Sequence, residues 1–599
     1  MTLSKKAFAA CAAATVALGL ALPAAAAPIP PERLRNADNE PHNWLMTLGN
    51  YQGWHYSKLS QINKNNVQNL KVVFMASIGG ATTRTVTTGG NGNEMAAPLA
   101  EDGFLYVIDS HNKIMKFDVR AGNRAFPMWR HDPGIERFIG YTNTRGLSLW
   151  ENSVIQATRD GRFIGINKES GERIWEATGH EKQGGPNAPE FVATTSFGGS
   201  VLPYRTASGK DVAIAGTAGS AGIGAVVGFD PKNGLEVWRT FTIPQPGEPN
   251  FGTWPGETWK WGAAMPWGPA TFDVATNTVF IGTGEPSPVY DPEFRPGDNL
   301  YASSTIALDG DTGKMKWFFQ HTPNDPWDFD STGARMIFDF RTADGRTVKA
   351  VSSWDRNGFL YTLSAATGEF LQAVAQTDNI NWTKGIDTKT GKPMEYLAGQ
   401  VLQPYNVAGP RAGRTREQAP MVCNTWGGSP TGIWPPSYDP TTGVSYQTRT
   451  SGCTYQTMVR STKEAFAPLA RECLGCSVNQ VQVDTKANMV AIDVRSGKIL
   501  ATHTYDQGIP ATRQAESGAL ATAGGVVFTG WADGAFVALD STSLVELWRF
   551  NTGTNLKGSA VSYSVGGKQY IAHIAGGSQH SSGIAPLILP TAMLVVYGL

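Results

Sequence analysis

The sequence predicts an all-β fold, an eight-bladed β-propeller with tryptophan-docking repeats, and three observations lead there. A phrase of alternating apolar residues, an Asp or Asn, a short turn with Gly and then Trp recurs through the chain. A further strand signal, such as Gly103 to Ile108 or Gly525 to Gly530, stands ahead of most copies. Glycine supplies 68 of 599 residues and charged residues only 17%, a composition suited to short strands and tight turns.

The N-terminus reads as an export signal, expected over 1–26 ahead of a single domain, 27–599. Lys5 and Lys6 precede an apolar run from Ala7 to Leu22, and small residues from Ala24 to Ala27 offer a cleavage site before Pro28. The run is too short and too rich in Ala for a membrane anchor, and no later stretch is apolar enough to span a bilayer.

The clearest copies of the phrase run Ile164 to Trp175, Val227 to Trp238 and Ile306 to Trp317, each with its Trp four residues after the Gly. Looser copies lie at 115–129, 361–371, 490–500 and 537–548, and 438–443 reads as an eighth, degenerate copy. Period-two alternation marks half-buried strands, and Asp or Asn with Gly supplies the hairpin turn. Trp175, Trp238 and Trp317 read as packing between blades, their N–H groups bonded to backbone, and not as functional residues. The spacing is uneven, so insertions are expected in the longer gaps, chiefly 376–488. Nothing resembles a linker between independent domains.

Lys plus Arg and Asp plus Glu are both 50, so zero net charge favours neither nucleic acid nor an anionic membrane surface as partner. Of five cysteines, Cys11 lies in the signal, and four in an oxidising compartment are expected to pair. Cys473-Leu-Gly-Cys476 is followed by Ser477 rather than His, against a covalent haem, and no second such pair makes a zinc site.

Several phrases, in order, carry a family resemblance: Trp267-Gly-Pro, Ile281 to Pro288, Arg295 to Leu300, Thr322 to Asp330 and Trp354 to Tyr361. With matches from Asn43 to Tyr570, the chain resembles the quinoprotein methanol, ethanol and sorbose dehydrogenases, which use pyrroloquinoline quinone (PQQ) and a metal. The resemblance implies that Trp267 stacks on PQQ and that Glu285 and Asp328 ligate calcium. Asp330 marks lanthanide-using relatives, against a plain reading as a solvated loop residue. Asp328 is implied as the catalytic base, Arg356 as the group that polarises the quinone carbonyl, and Arg145 as a ligand of a PQQ carboxylate. It also implies a Cys423–Cys453 pair pinning the insertion; Cys473 with Cys476 would close a tight local loop.

The chain departs from the family at several places. Two adjacent cysteines expected above PQQ are replaced near Ile139 and Gly140, a hint of room for a bulky or secondary alcohol. The usual metal-binding Glu is absent from Gly216 to Gly224, and Glu285 stands where Asn is usual, so the carboxylate would have moved across the site. An Asn near Ile433 and Trp434 and a Trp near Glu516 are also missing. The expectation is a periplasmic alcohol dehydrogenase that passes electrons to a separate cytochrome c. A propeller serving as a scaffold, or binding a glycan or polymer, is the rival reading.

Overall fold

The computed structural model describes residues 27–79, 93–135, 143–179, 196–219, 222–342, 344–408, 415–423, 434–461, 473–505, 517–576 and 592–599. The predicted signal, 1–26, lies outside them. The described chain is almost all strand, in eight sheets of four or five strands that follow one another. Their first strands are Leu99–Glu101, Ser148–Trp150, Leu202–Arg205, Thr271–Asp273, Arg335–Arg341, Ser437–Asp439, Leu520–Thr522 and Val561–Val565, which number sheets 1 to 8. Successive strands within a sheet pair antiparallel. The turn glycines Gly171, Gly234, Gly313 and Gly368 have φ of +69° to +75°, the left-handed region that glycine enters without cost.

Each sheet docks on the next through that turn. The rings of Trp129, Trp175, Trp238 and Trp317 lie where a Cβ on Gly171, Gly234, Gly313 and Gly368, respectively, would fall. Trp129 and Trp317 donate their indole N–H to the carbonyl three residues before that glycine, Lys168 O at 3.0 Å and Ala365 O at 3.1 Å. Where no indole N–H meets that carbonyl, because the tryptophan is missing or, for Trp238, does not reach it, other side chains make this bond. Tyr204 reaches Gly310 O at 3.0 Å, Gln372 reaches Val494 O at 3.3 Å and Tyr446 reaches Ser541 O at 2.9 Å. Trp548 of sheet 7 donates to Leu70 O, and Tyr570 of sheet 8 packs on Gly122 in sheet 1, closing the ring. The packing role expected for the tryptophans holds. The bond to backbone does not extend to Trp175 and Trp238, whose N–H groups meet no acceptor among the described residues.

One expectation needs correction. The copy at 438–443 is not a sheet of its own: it joins the first two strands of sheet 6, whose last two strands are joined by the copy at 490–500. The eighth sheet carries no copy. It is built from Val561–Val565, Lys568–Gly576 and Ala592–Gly598, with Lys71–Gly79 as its fourth strand. A turn signal reports a hairpin and is silent on which hairpins share a sheet.

The long gap does hold an insertion. Val444–Ser461 and Cys473–Asp493 run on past sheet 6 as a hairpin, and Val422–Cys423 pairs with it through the Cys423–Cys453 disulfide. The side chains of Cys473 and Cys476 lie outside the described set.

Residues 44–57 thread along the inner edges of the first strands. Trp44 bridges Ala100 of sheet 1, and Tyr51 reaches Pro203 O of sheet 3 and accepts from Phe272 N of sheet 4. Gln52 O accepts from Ile337 N of sheet 5, Trp54 O from Tyr438 N of sheet 6, and Tyr56–Ser57 pairs with Ala521 and Thr522 of sheet 7. This strap satisfies backbone groups that the ring would otherwise leave unpaired at its centre. Among the described residues no helix is long and apolar enough to cross a membrane.

Candidate active site

Strand direction decides which residues can meet. In an antiparallel sheet the start of the first strand and the end of the second lie at the same end. Arg145 and Trp267 stand just before the first strands of sheets 2 and 4, and Asp328 and Asp330 before that of sheet 5. Glu285 follows the second strand of sheet 4, Thr278–Gly282, and Arg356 that of sheet 5, Thr347–Trp354. All six predicted residues therefore gather at one end of the ring.

The segment 325–330 is held rigidly. Asp325, buried, accepts from Trp327 N at 2.8 Å, Phe329 N at 2.7 Å and the Ser303 hydroxyl at 3.0 Å. The buried Arg295 guanidinium donates to Pro288 O, Val289 O and Asn299 Oδ1 at 2.8–2.9 Å and to Asp325 O. Trp327 and Phe329 are buried in the core, and the acids at alternate positions, Asp328 and Asp330, face the site. Asp328 has φ +68°, a conformation more often tolerated at functional sites than in ordinary loops.

Glu285, Asp328 and Asp330 present carboxylate oxygens all within 4.8 Å of one another. At an effective dielectric near 20, each pair of unit charges at that separation repels by about 3–4 kcal/mol. Burial, then Asp330 and Asp328, push the Glu285 carboxyl well above its ordinary range. Arg356 is the protein's own counter-charge, contacting Asp330 Oδ2 and standing 3.4 Å from Asp328 Oδ1. Burial works against its charge, but Asp328, Asp330 and Glu285 outweigh that and raise its pKa.

The two aspartates differ in exposure and in the length of their contacts. Asp330 is 4% exposed and not a solvated loop residue: Oδ1 accepts from Trp267 Nε1 and Glu285 N, both at 3.2 Å, and Oδ2 from Arg356. Asp328 is more open and has longer contacts, 3.4 Å to Arg356 and 3.4 Å to the Tyr290 hydroxyl. Tyr290 was not anticipated; no local signal distinguishes it from a core tyrosine. Gly284 also matters, since a Cβ there would sit 2.6 Å from Asp330 Oδ1 and 3.2 Å from Trp267 Nε1.

Trp267 is half-buried, and the Arg145 guanidinium stands over its ring, 4.3 Å from the centroid, while donating to Gly198 O at 3.2 Å. Beneath this loop lies the glycine-rich phrase. A Cβ on Gly216 would strike Pro266 O, and Gly224 N donates to Ala263 O at 2.8 Å, so the glycines there serve close backbone packing. Residues 220–221, Ile139, Gly140, Ile433 and Glu516 lie outside the described set; Trp434 is buried.

The donor set suits the implied groups. Three convergent carboxylates that need a cation match a hard metal with oxygen ligands, and an indole face beside them matches a flat quinone.

Comparison with known proteins agrees. A family model described as the PQQ glucose/ethanol/alcohol dehydrogenase β-propeller domain matches residues 44–380 and 437–571. The quinoprotein ethanol dehydrogenase of Pseudomonas aeruginosa is 30% identical over 94% of this chain and 91% of its own. The lanthanide-dependent methanol dehydrogenase of Methylorubrum extorquens is 30% identical, covering 94% of this chain and 91% of its own. Among solved structures, the quinohemoprotein alcohol dehydrogenase of Comamonas testosteroni is 26% identical with a TM-score of 0.77, over 95% of this chain and 82% of that one. A closed ring of sheets, a carboxylate cluster beside Trp267 and these likenesses lead to one conclusion: the chain belongs to the PQQ-dependent quinoprotein alcohol dehydrogenases, oxidoreductases that act on CH–OH donors.

Proposed function

We propose that this chain is an exported, periplasmic dehydrogenase, one eight-bladed propeller domain over 27–599, that oxidises an alcohol with PQQ and a metal. The observation that carries the reading is the meeting of Glu285, Asp328, Asp330 and Arg356 beside Trp267. When bound, the metal supplies a Lewis acid and PQQ a two-electron acceptor.

The chain's own residues do the rest. Glu285, Asp328 and Asp330 hold the metal. Asp328 accepts the substrate hydroxyl proton, as the family resemblance implies, from a position more open than that of Asp330. Arg356, charged and buried, is a fixed donor that polarises the quinone carbonyl, as the family resemblance implies. Trp267 offers the stacking platform, its ring fixed by the N–H bond to Asp330, and Arg145 takes a carboxylate of the quinone. Calcium is the metal of this reading; Asp330, buried as a third carboxylate, favours a lanthanide as the second. The missing vicinal cysteines support a bulky or secondary alcohol as substrate, and electrons leave to a separate periplasmic cytochrome c.

Reconstitution tests it: metal-free, quinone-free protein is given PQQ with calcium or lanthanum, and dye-linked alcohol oxidation is followed. Activity is expected only with both. Turnover with a nicotinamide alone, or none with either metal, overturns the reading.

A further inference from the structure

Arg159 stands in the turn between the second and third strands of sheet 2, Ser153–Ala157 and Arg162–Asn167, at the same end of the ring as the site. Its side chain is buried, the residue being 3% exposed. No phrase in the sequence singles it out. The backbone brings it to Gly198, where a Cβ would lie 2.6 Å from Arg159 Nη1 and 3.4 Å from Arg145 Nη1. Two guanidinium groups, from a turn and a loop of one sheet, thus converge on one glycine of the next. The second of them lies over the ring of Trp267.

Burying like charges side by side is unfavourable. Burial and then the charge of Arg145 both pull the Arg159 guanidinium below its ordinary pKa; burial does the same to Arg145, with the charge of Asp330 opposing it. Arginine nevertheless stays charged in proteins, so an anion placed where the two forks converge on Gly198 is attracted by both. The planar fork of each group matches a carboxylate in geometry as well as charge. Gly198 contributes by having no side chain where the two forks meet.

We propose that Arg159 and Arg145 form a two-arginine clamp for one carboxylate of the quinone at the edge of the Trp267 platform. The proposal rests on the PQQ reading above. Arg145 is the arm the family resemblance implies; Arg159 is assigned by the geometry alone. Its role is to anchor the cofactor, with no part in proton transfer.

The test is equilibrium titration of the quinone-free protein with PQQ and with its trimethyl ester, followed by quenching of indole fluorescence. Wild type, Arg159→Leu and Arg159→Lys are compared, with thermal melts of each. Arg159→Leu is expected to bind PQQ about 10- to 100-fold more weakly and Arg159→Lys to recover part of the loss, as charge-assisted hydrogen bonds imply. All three should bind the ester alike, because it has no carboxylate to clamp. Binding of PQQ by Arg159→Leu within about threefold of wild type overturns the assignment, a margin small beside one charge-assisted bond. An equal loss for acid and ester also overturns it, since that marks a structural role. Wild type that fails to bind PQQ at all removes the cofactor reading and the clamp with it.

Discussion

Asp328→Asn removes the base, and with it one negative charge of the metal site. Asparagine keeps the shape and is among the few residues at ease at the φ of +68° found here, so the backbone has no reason to move. The amide can still meet Tyr290 and Arg356 at 3.4 Å, and Arg356 keeps its tighter partner, Asp330. Removing one of three mutually repelling carboxylates offsets the weakened 3.4 Å contact to Arg356, so the loss in stability should be no more than about 1 kcal/mol. Catalysis is a different matter, because an amide accepts no proton from an alcohol. General-base contributions run to about 10²–10⁴-fold, or roughly 3–5 kcal/mol in the barrier. The assay is dye-linked turnover at saturating PQQ and metal, beside a melting curve and a PQQ titration. The expected result is loss of at least about 99% of kcat with the melting temperature lowered by no more than a few degrees. A variant that keeps more than about a tenth of the wild-type rate refutes Asp328 as the base.

Gly284→Ala should disturb the site without unfolding the ring: its Cβ would enter 2.6 Å from Asp330 Oδ1, so metal affinity in a calorimetric titration should fall by about tenfold or more. Glu94 is buried, and burial, then Asp109, push its carboxyl up to about 8 from an ordinary 4.5. The native state then holds this proton after the unfolded chain has lost it, so the contribution to stability is complete below pH 4.5 and falls away as pH rises through about 8. Glu94→Gln should remove that decline, worth up to about 5 kcal/mol; parallel pH–melting curves for wild type and variant would contradict it. Peptide mapping of unreduced protein should recover Cys423 joined to Cys453, and alkylation of Cys423 under native conditions would count against the bond.

Much of the site was legible because it is written in local phrases. The alternation Trp327, Asp328, Phe329, Asp330 carries its own geometry: apolar rings go to the core, and the acids between them go to the opening. Glu285 and Arg356 each follow a strand by a few residues, so strand direction alone sends them to the same end. Tyr290, Gly284 and Arg159 were missed. Each acts through residues from 14 to 46 positions away, and none sits in a phrase of its own.

Alone, the sequence determined the strand repeat, the docking tryptophans, the family and six candidate residues, because hairpins, turns and short motifs are specified by neighbours along the chain. Only the tertiary structure decided that the copies at 438–443 and 490–500 share one sheet and that Lys71–Gly79 completes the last. It alone placed residues 44–57 inside the ring, and Gln372, Tyr204 and Tyr446 at the turn carbonyls that no indole N–H meets. It also buried Asp330 and set Arg145 over Trp267 beside Arg159. The physical reason is closure: pairing the first strand with the last fixes where every loop meets every other, and no stretch of chain encodes that by itself.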